Sequence, residues 1–333
     1  MDQARPIILI LGPTAGGKTA LAVNLAQALP GGGECISADS MQVYRGMDIG
    51  TAKPTPRQRA IVRHHLLDVA DPSDEDFSVD RWLDLAEQAI EEIRGRGRWP
   101  IVVGGTNLYV QALLAGLFVG PEPDDDLRRS LRKMDAQSLR RRLLEIDPPA
   151  AERIHPNDRK RTIRAIEVHA LTGRRLSDLQ RQWETGRIRP DVRIIGLDWP
   201  VETINRRINA RVKAMIEGGF VEEVRRLWEA RQLGPQAREA LGYRQIIDHL
   251  QGQLTLREAA EQIKIRTRRF AKQQRTWLRK FRRYGRSTWL EAADFSPQHL
   301  VVAALEAIGE DPAVRPSPAP AGGKNPPREG NCP

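Results

Sequence analysis

Residues 6 to 19 read Pro6-Ile7-Ile8-Leu9-Ile10-Leu11-Gly12-Pro13-Thr14-Ala15-Gly16-Gly17-Lys18-Thr19. Five consecutive apolar residues leave no polar face for water, so Ile7 to Leu11 is expected as a strand buried on both faces, the setting of a parallel sheet. Gly12 to Thr19 then satisfies G-x-x-x-x-G-K-[ST] where that pattern has a mechanism, between a buried strand and a helix. Leu21, Ala22, Leu25, Ala28 and Leu29 supply the helical spacing. Gly12, Pro13, Thr14, Ala15, Gly16 and Gly17 form the loop, whose flexible backbone lets N–H groups curl around phosphate oxygens. The helix N-terminus adds positive partial charge, Lys18 a point charge and Thr19 a hydroxyl suited to Mg²⁺. The stretch is expected to bind a nucleotide, as ATP-binding loops do, or another di- or triphosphate.

Further along, Cys35 to Ala38 reads as a second short strand ending at Asp39-Ser40, and Val79 to Arg94 as a helix with Trp82, Leu83, Ala86, Ile90 and Ile93 on one stripe. Ile101 to Val103 is a third buried strand, and Gly104-Gly105 leads into a helix near Asn107. This alternation predicts an α/β fold: a P-loop core with a parallel sheet flanked by helices. The pattern breaks at Gly120-Pro121-Glu122-Pro123, and Arg-rich helical sequence without a strand follows to about Trp183. Val192 to Leu197 restores a strand, with helices from Thr203 to Arg231 and Leu256 to Tyr284. The expected division is therefore a first core part at 1–118 and an all-helical insertion at 119–189. A second core part with a helical C-terminal region follows at 190–310, then a disordered tail at 311–333, where seven of 23 residues are proline.

The 333 residues are 40% hydrophobic and 29% charged, a globular composition. Two cysteines, Cys35 and Cys332, exclude a disulfide framework and a four-ligand zinc site. No apolar run approaches membrane-spanning length and no leader is recognisable, so a cytoplasmic chain is expected, monomeric by default. The charge is unevenly spread. Of 53 Lys+Arg and 43 Asp+Glu, the first 110 residues hold 11 and 14, and the remainder 42 and 29. So cationic a second part is the footprint of a polyanion partner, nucleic acid first. Between Lys264 and Arg286 stand 11 basic and no acidic residues, with Phe270, Trp277, Phe281 and Tyr284 at helical spacing. That pattern predicts an aromatic stripe buried against the core and a cationic face turned to phosphates, rather than aromatics stacking on bases.

Asp39 follows a strand expected beside the P-loop strand, where open α/β sheets bind ligands, and is a candidate general base; in isolation it reads equally as a loop residue or helix cap. A Walker-B carboxylate is missing, Leu66-Leu67-Asp68 being the one weak candidate. Gly12 to Thr19, Ser37 to Pro54 (SADSMQVYRGMDIGTAKP), His64 to Asp68 (HHLLD), Val102 to Tyr109 (VVGGTNLY), His155 to Asp158 (HPND) and Ala240 to Gln245 (ALGYRQ) together resemble the tRNA dimethylallyltransferases of bacterial type. The resemblance covers about residues 5 to 295.

It implies transfer of a dimethylallyl group from dimethylallyl diphosphate to N6 of adenine 37 in tRNA, with Mg²⁺, without ATP and without a redox cofactor. By resemblance Asp39 is the base, Thr106 lies beside the target nucleotide, Lys18 and the P-loop hold the diphosphate, and Arg207 and Arg211 clamp it. Also by resemblance, Asp39, Ser40, Met41, Gln42 and Thr106 contact the tRNA. So do Arg128, Lys160, Arg161, Thr162, Ile163 and Arg164, and the stretch Glu239, Ala240, Leu241, Gly242, Tyr243 and Arg244. The partner implied is a tRNA anticodon stem-loop. An adenylate isopentenyltransferase, a P-loop small-molecule kinase and a noncatalytic RNA-binding protein are the rival readings, and the long basic insertion argues against the first.

Overall fold

The computed structural model describes residues 5–74, 77–118, 120–183 and 188–310. Strand β1 (Ile7–Leu11) is buried at every residue, and α1 (Lys18–Ala28) springs from the P-loop. Next come β2 (Gly33–Ala38), α2 (Pro56–Ile61), the two-residue β3 (His64–His65), α3 (Val79–Gly95), β4 (Trp99–Gly104) and α4 (Asn107–Ala115). Helices α5 (Asp125–Lys133), α6 (Ala136–Ile146), α7 (Pro148–Arg153), α8 (Arg159–Thr172) and α9 (Leu176–Leu179) follow, closed by a 3₁₀ turn at Gln180–Trp183. The chain then forms β5 (Val192–Asp198), α10 (Val201–Glu217), α11 (Phe220–Glu229), α12 (Pro235–Arg238), α13 (Tyr243–Leu250), α14 (Leu256–Phe281), β6 (Ser287–Glu291) and α15 (Pro297–Ile308).

The six strands are parallel, in the order β3-β2-β4-β1-β5-β6. Alternation along β1 divides the core: Ile7, Leu9 and Leu11 face one apolar cluster with Trp82, Val110 and Ile208, while Ile8 and Ile10 face another with Leu25, Ile195 and Leu305. From β1 the chain crosses to β2 on one side and later supplies β5 on the other. The reversal lies beside β1, so the crevice at the carboxyl ends of β1, β2 and β4 is where a ligand of such a sheet binds. A third cluster, including Leu131, Leu139, Leu143, Ala151 and Val168, is formed by α5–α9 and the turns between them, with Phe118 packed against it. Four of these helices start on an aspartate side chain that accepts a backbone N–H: Asp124 for α5, Asp135 for α6, Asp147 for α7 and Asp158 for α8. The acidic linker and the HPND motif thus act locally as helix caps.

The structure corrects the sequence reading in three places. The C-terminal part of the core is not purely helical: β6 adds an edge strand, invisible in sequence because only Leu290 of its five residues is buried. A similar edge strand, β3, pairs through only two residues. The helix expected from Thr203 to Arg231 is two helices, parted where Gly219 adopts φ 96°, a left-handed conformation that glycine takes without strain. The tail at 311–333 lies outside the described residues. Among those described, no helix is long and apolar enough to cross a membrane.

Gly104 ends β4 where the sheet is tightest. A Cβ there would stand 2.1 Å from the Ala38 carbonyl oxygen, and backbone cannot yield without parting β2 from β4. Gly104→Ala is expected to cost about 3 kcal/mol by overpacking, read as a lower urea midpoint. Gly95→Ala, whose Cβ would meet nothing within 4 Å, is the matched control and should leave the midpoint nearly unchanged.

Candidate active site

The carboxyl ends of β1, β2 and β4 enclose a cavity of about 320 Å³, floored by Thr14 to Ala20. Asp39 and Gln42 line it from the end of β2, Gly104 and Gly105 from the end of β4, Arg207 and Arg211 from α10, and Phe270 and Gln274 from α14. Its far end is lined by Cys35, Thr51, Pro54, Gln58 and His64. Burial pushes the Cys35 thiol up to about 12, so it is no nucleophile at neutral pH.

The P-loop is held from outside. Trp199, just past β5, donates its indole N–H to the Gly16 carbonyl at 3.0 Å, and the Arg207 guanidinium lies over that indole, 4.6 Å from the ring centroid. Arg207 Nε donates to the Ala15 carbonyl at 2.7 Å, and Arg211 reaches the Thr14 hydroxyl at 3.4 Å. Gln274, 1% exposed, accepts the Thr14 N–H at 2.8 Å and donates to the Gly105 carbonyl at 3.1 Å, tying the P-loop to the Gly104-Gly105 turn. Lys18 folds back onto the Gly12 and Pro13 carbonyls at 3.1 and 2.9 Å. Burial, with Arg211 adding repulsion, pushes its ammonium down to about 8, and Asp39 partly offsets this.

Asp39 is oriented through one oxygen. Its Oδ1 accepts the Met41 and Gln42 N–H groups at 2.9 and 3.3 Å, and among the described residues no donor engages Oδ2. Thr106 precedes α4 without a capping bond; its hydroxyl accepts the Ser40 N–H at 2.9 Å and donates to the Ser40 hydroxyl at 3.3 Å, joining the β2 and β4 ends. The Gln42 carboxamide is consumed internally, accepting from the Ser37 hydroxyl and donating to the Thr51 and Ala52 carbonyls.

The motif loop from Gly46 to Pro54 is latched by residues far along the chain. Glu223 of α11 accepts the N–H groups of Asp48, Ile49 and Gly50 at 2.9, 2.7 and 3.1 Å, and the buried Tyr243 hydroxyl donates to it at 2.5 Å. Burial and that carboxylate hold the Tyr243 phenol well above its usual range. Lys53, whose side chain is 1% exposed, bonds the Tyr44 carbonyl and the carboxylates of Asp48 and Asp68. Asp68 is therefore an ion-pair partner of Lys53 and Arg59 and not a Walker-B carboxylate.

The structure thus gathers Lys18, Thr19, Asp39, Gln42, Arg207 and Arg211 around one cavity, with Thr106 bonded to Ser40 at its edge. It does not bring the insertion there. Arg128 and Arg164 converge on the buried carboxylate of Glu167, while Lys160 and Arg161 are exposed and Thr162 and Ile163 are buried. Of Glu239 to Arg244, Ala240, Gly242 and Tyr243 are buried, and exposed Arg244 pairs with Glu239 and Asp248. Buried side chains do not reach a polyanion, so Thr162, Ile163, Ala240 and Tyr243 support such a surface from beneath. Sequence reasoning missed Trp199, Gln274 and Phe270 in the site. Gln274 carries a faint signal, a polar residue on the apolar stripe of its helix.

A buried strand, a phosphate-binding loop, converging cations and a carboxylate at the neighbouring strand's end define an α/β transferase of the P-loop class. The model of the IPP transferase family matches residues 42–281, and that of isopentenyl transferases residues 5–75. The chain belongs to the IPP transferase family. It is 47% identical over 295 residues to the tRNA dimethylallyltransferase of Syntrophobacter fumaroxidans, covering 87% of this chain and 84% of that one. The solved tRNA isopentenylpyrophosphate transferase of Bacillus halodurans superposes with a TM-score of 0.66 at 39% identity, over 91% of this chain and 97% of that one. A eukaryotic dimethylallyltransferase, solved acting on tRNA, superposes at 0.73 with 29% identity, over 86% and 74%.

Proposed function

We propose that the chain modifies tRNA by moving a dimethylallyl group from dimethylallyl diphosphate to N6 of adenine 37, releasing diphosphate. The observation that carries this reading is the placement of Asp39 in the same cavity as Lys18, Arg207 and Arg211: a base and an oligophosphate site facing one space. In the reaction the N6 lone pair forms a bond to the allylic carbon while the carbon–oxygen bond breaks, and diphosphate departs with the electron pair. The N6 proton passes to the free Oδ2 of Asp39.

The P-loop N–H groups, Lys18 and the two guanidiniums stabilise the charge that grows on the leaving oxygen, and this preorganised field provides the larger part of the rate. An exocyclic amine is a poor nucleophile, so its positioning beside Thr106 matters more than the strength of the base. The residues suit Mg²⁺ in the manner usual for phosphate substrates. Among the described residues no group of three or more His, Cys, Asp or Glu could cage a metal, but Thr19 lines the cavity and its hydroxyl would hold the ion together with the donor's own phosphate oxygens. Bound there, Mg²⁺ would neutralise leaving-group charge.

The insertion and the exposed cations of α14 supply the docking surface for the anticodon stem-loop, with Lys160 and Arg161 on the insertion and Arg244 by α13, while Arg128 and Arg164, seated on Glu167, brace the insertion behind it. Extruding the adenine from its loop stack costs a few kcal/mol, offset by contacts to the flipped base.

The test is transfer of labelled dimethylallyl to a stem-loop containing A36-A37-A38, with Mg²⁺ and without ATP, against AMP as competing acceptor. Label in the stem-loop alone is expected. Label in AMP alone would reassign the chain to free-nucleotide prenylation, and label in neither would remove the prenyl transferase reading.

A further inference from the structure

Phe270 departs from what its helix predicts. On α14 the positions 270, 274, 278 and 281 share one face, and three of the four are buried: Gln274 at 1%, Leu278 at 7% and Phe281 at 0%. Phe270, one turn before Gln274, is 38% exposed, because there the stripe runs past the protein core and faces the cavity. It is the one phenyl ring among the residues lining that cavity. Arg266, one turn before it, and its neighbour Arg269 are both exposed. An uncovered phenyl ring amid cations costs free energy that a planar apolar ligand would relieve.

Its place is fixed by the residue below it. Gln274 bonds the P-loop at Thr14 and the turn at Gly105, the residue before Thr106, so α14 cannot slide relative to either. The helix turn that carries the ring is therefore fixed against the P-loop and the Gly105 turn, and the partly exposed ring lines the cavity they share.

We propose that Phe270 is the platform on which the acceptor adenine stacks once it leaves the loop of the RNA, with Gln274 as its positioning residue. This rests on the RNA-modifying reading above. A purine face covers a phenyl ring without regard to hydrogen-bond direction, while the exposed Arg266 and Arg269 beside it take neighbouring phosphates. The dimethylallyl group is a less suitable occupant, being tethered to a diphosphate at the cavity floor. The ring thus selects the acceptor, and Lys18 with the arginines selects the donor.

The test uses the full chain and a stem-loop carrying 2-aminopurine at the target position, whose fluorescence reports stacking. With the unaltered chain, binding should quench the probe. Phe270→Tyr and Phe270→Trp should keep the quenching. Phe270→Leu and Phe270→Ala should lose it and weaken stem-loop binding about tenfold or more in the absence of donor, with the KM for dimethylallyl diphosphate unchanged. The ring is partly exposed, so these variants are expected to fold. Retained quenching and affinity in Phe270→Leu would overturn the proposal. So would a raised donor KM with intact RNA affinity, which would make the ring a wall for the prenyl group. Transfer by the unaltered chain to a normal stem-loop is measured alongside; if it fails, the parent reading has fallen rather than the role of the ring.

Discussion

Asp39→Asn is expected to lower kcat by about 10²- to 10⁴-fold, the usual worth of a positioned base, while stem-loop binding is little changed. The substitution isolates the chemistry because the carboxylate has two separable tasks. Oδ1 closes the turn after β2 by accepting the Met41 and Gln42 N–H groups, and an amide oxygen performs that as well. What asparagine cannot do is take a proton at the second position. Asp39→Ala removes the turn as well, so it should show the same loss in turnover with a further loss in stability. An unchanged rate in Asp39→Asn would remove Asp39 as the base and leave the cation cluster to account for catalysis alone. Loss of RNA binding together with turnover would mean that the carboxylate holds the acceptor rather than deprotonating it.

The parts of this molecule legible in sequence are those written locally. Ile7 to Leu11 announces a buried strand because nothing in it tolerates water, and Gly12 to Thr19 announces its ligand because the backbone path and Lys18 are fixed by the same eight residues. Asp39 was legible through the topology, since a parallel sheet puts the ends of neighbouring strands beside each other, whereas Thr106 was legible only through the family resemblance. Edge strands were not, because half-exposed five-residue segments such as Ser287–Glu291 carry almost no pattern. Side-chain pairings between distant segments were equally hidden. The stretch Glu239 to Arg244 is an RNA-contact stretch by resemblance, and its tyrosine lies in the core and bonds Glu223, which in turn holds the backbone of Asp48, Ile49 and Gly50. The same holds for Arg128 and Arg164, which the resemblance assigns to the tRNA and the structure seats on the buried Glu167. Charge composition therefore located the cationic part of the chain but could not divide its arginines between internal carboxylates and external phosphates.

Lys18→Ala should lower kcat/KM for the donor by about 10²- to 10³-fold, as expected for loss of a preorganised cation facing a leaving group. The wild-type pH profile should show the same residue at work. With its ammonium pushed down to about 8 by burial and by Arg211, Lys18 is cationic below that pH and neutral above it. Donor binding needs the cation, so kcat/KM falls as pH rises through about 8. Once the diphosphate is seated, its negative charge favours the protonated form, and the corresponding fall in kcat moves to higher pH. Lys18→Arg separates charge from geometry: a guanidinium does not titrate in this range, so the alkaline limb should vanish even though the bulkier head fits poorly against the Gly12 and Pro13 carbonyls and lowers the rate throughout. A flat wild-type profile across this range, or a limb that survives in Lys18→Arg, would show that another group sets the alkaline dependence and that Lys18 keeps its proton in the free enzyme.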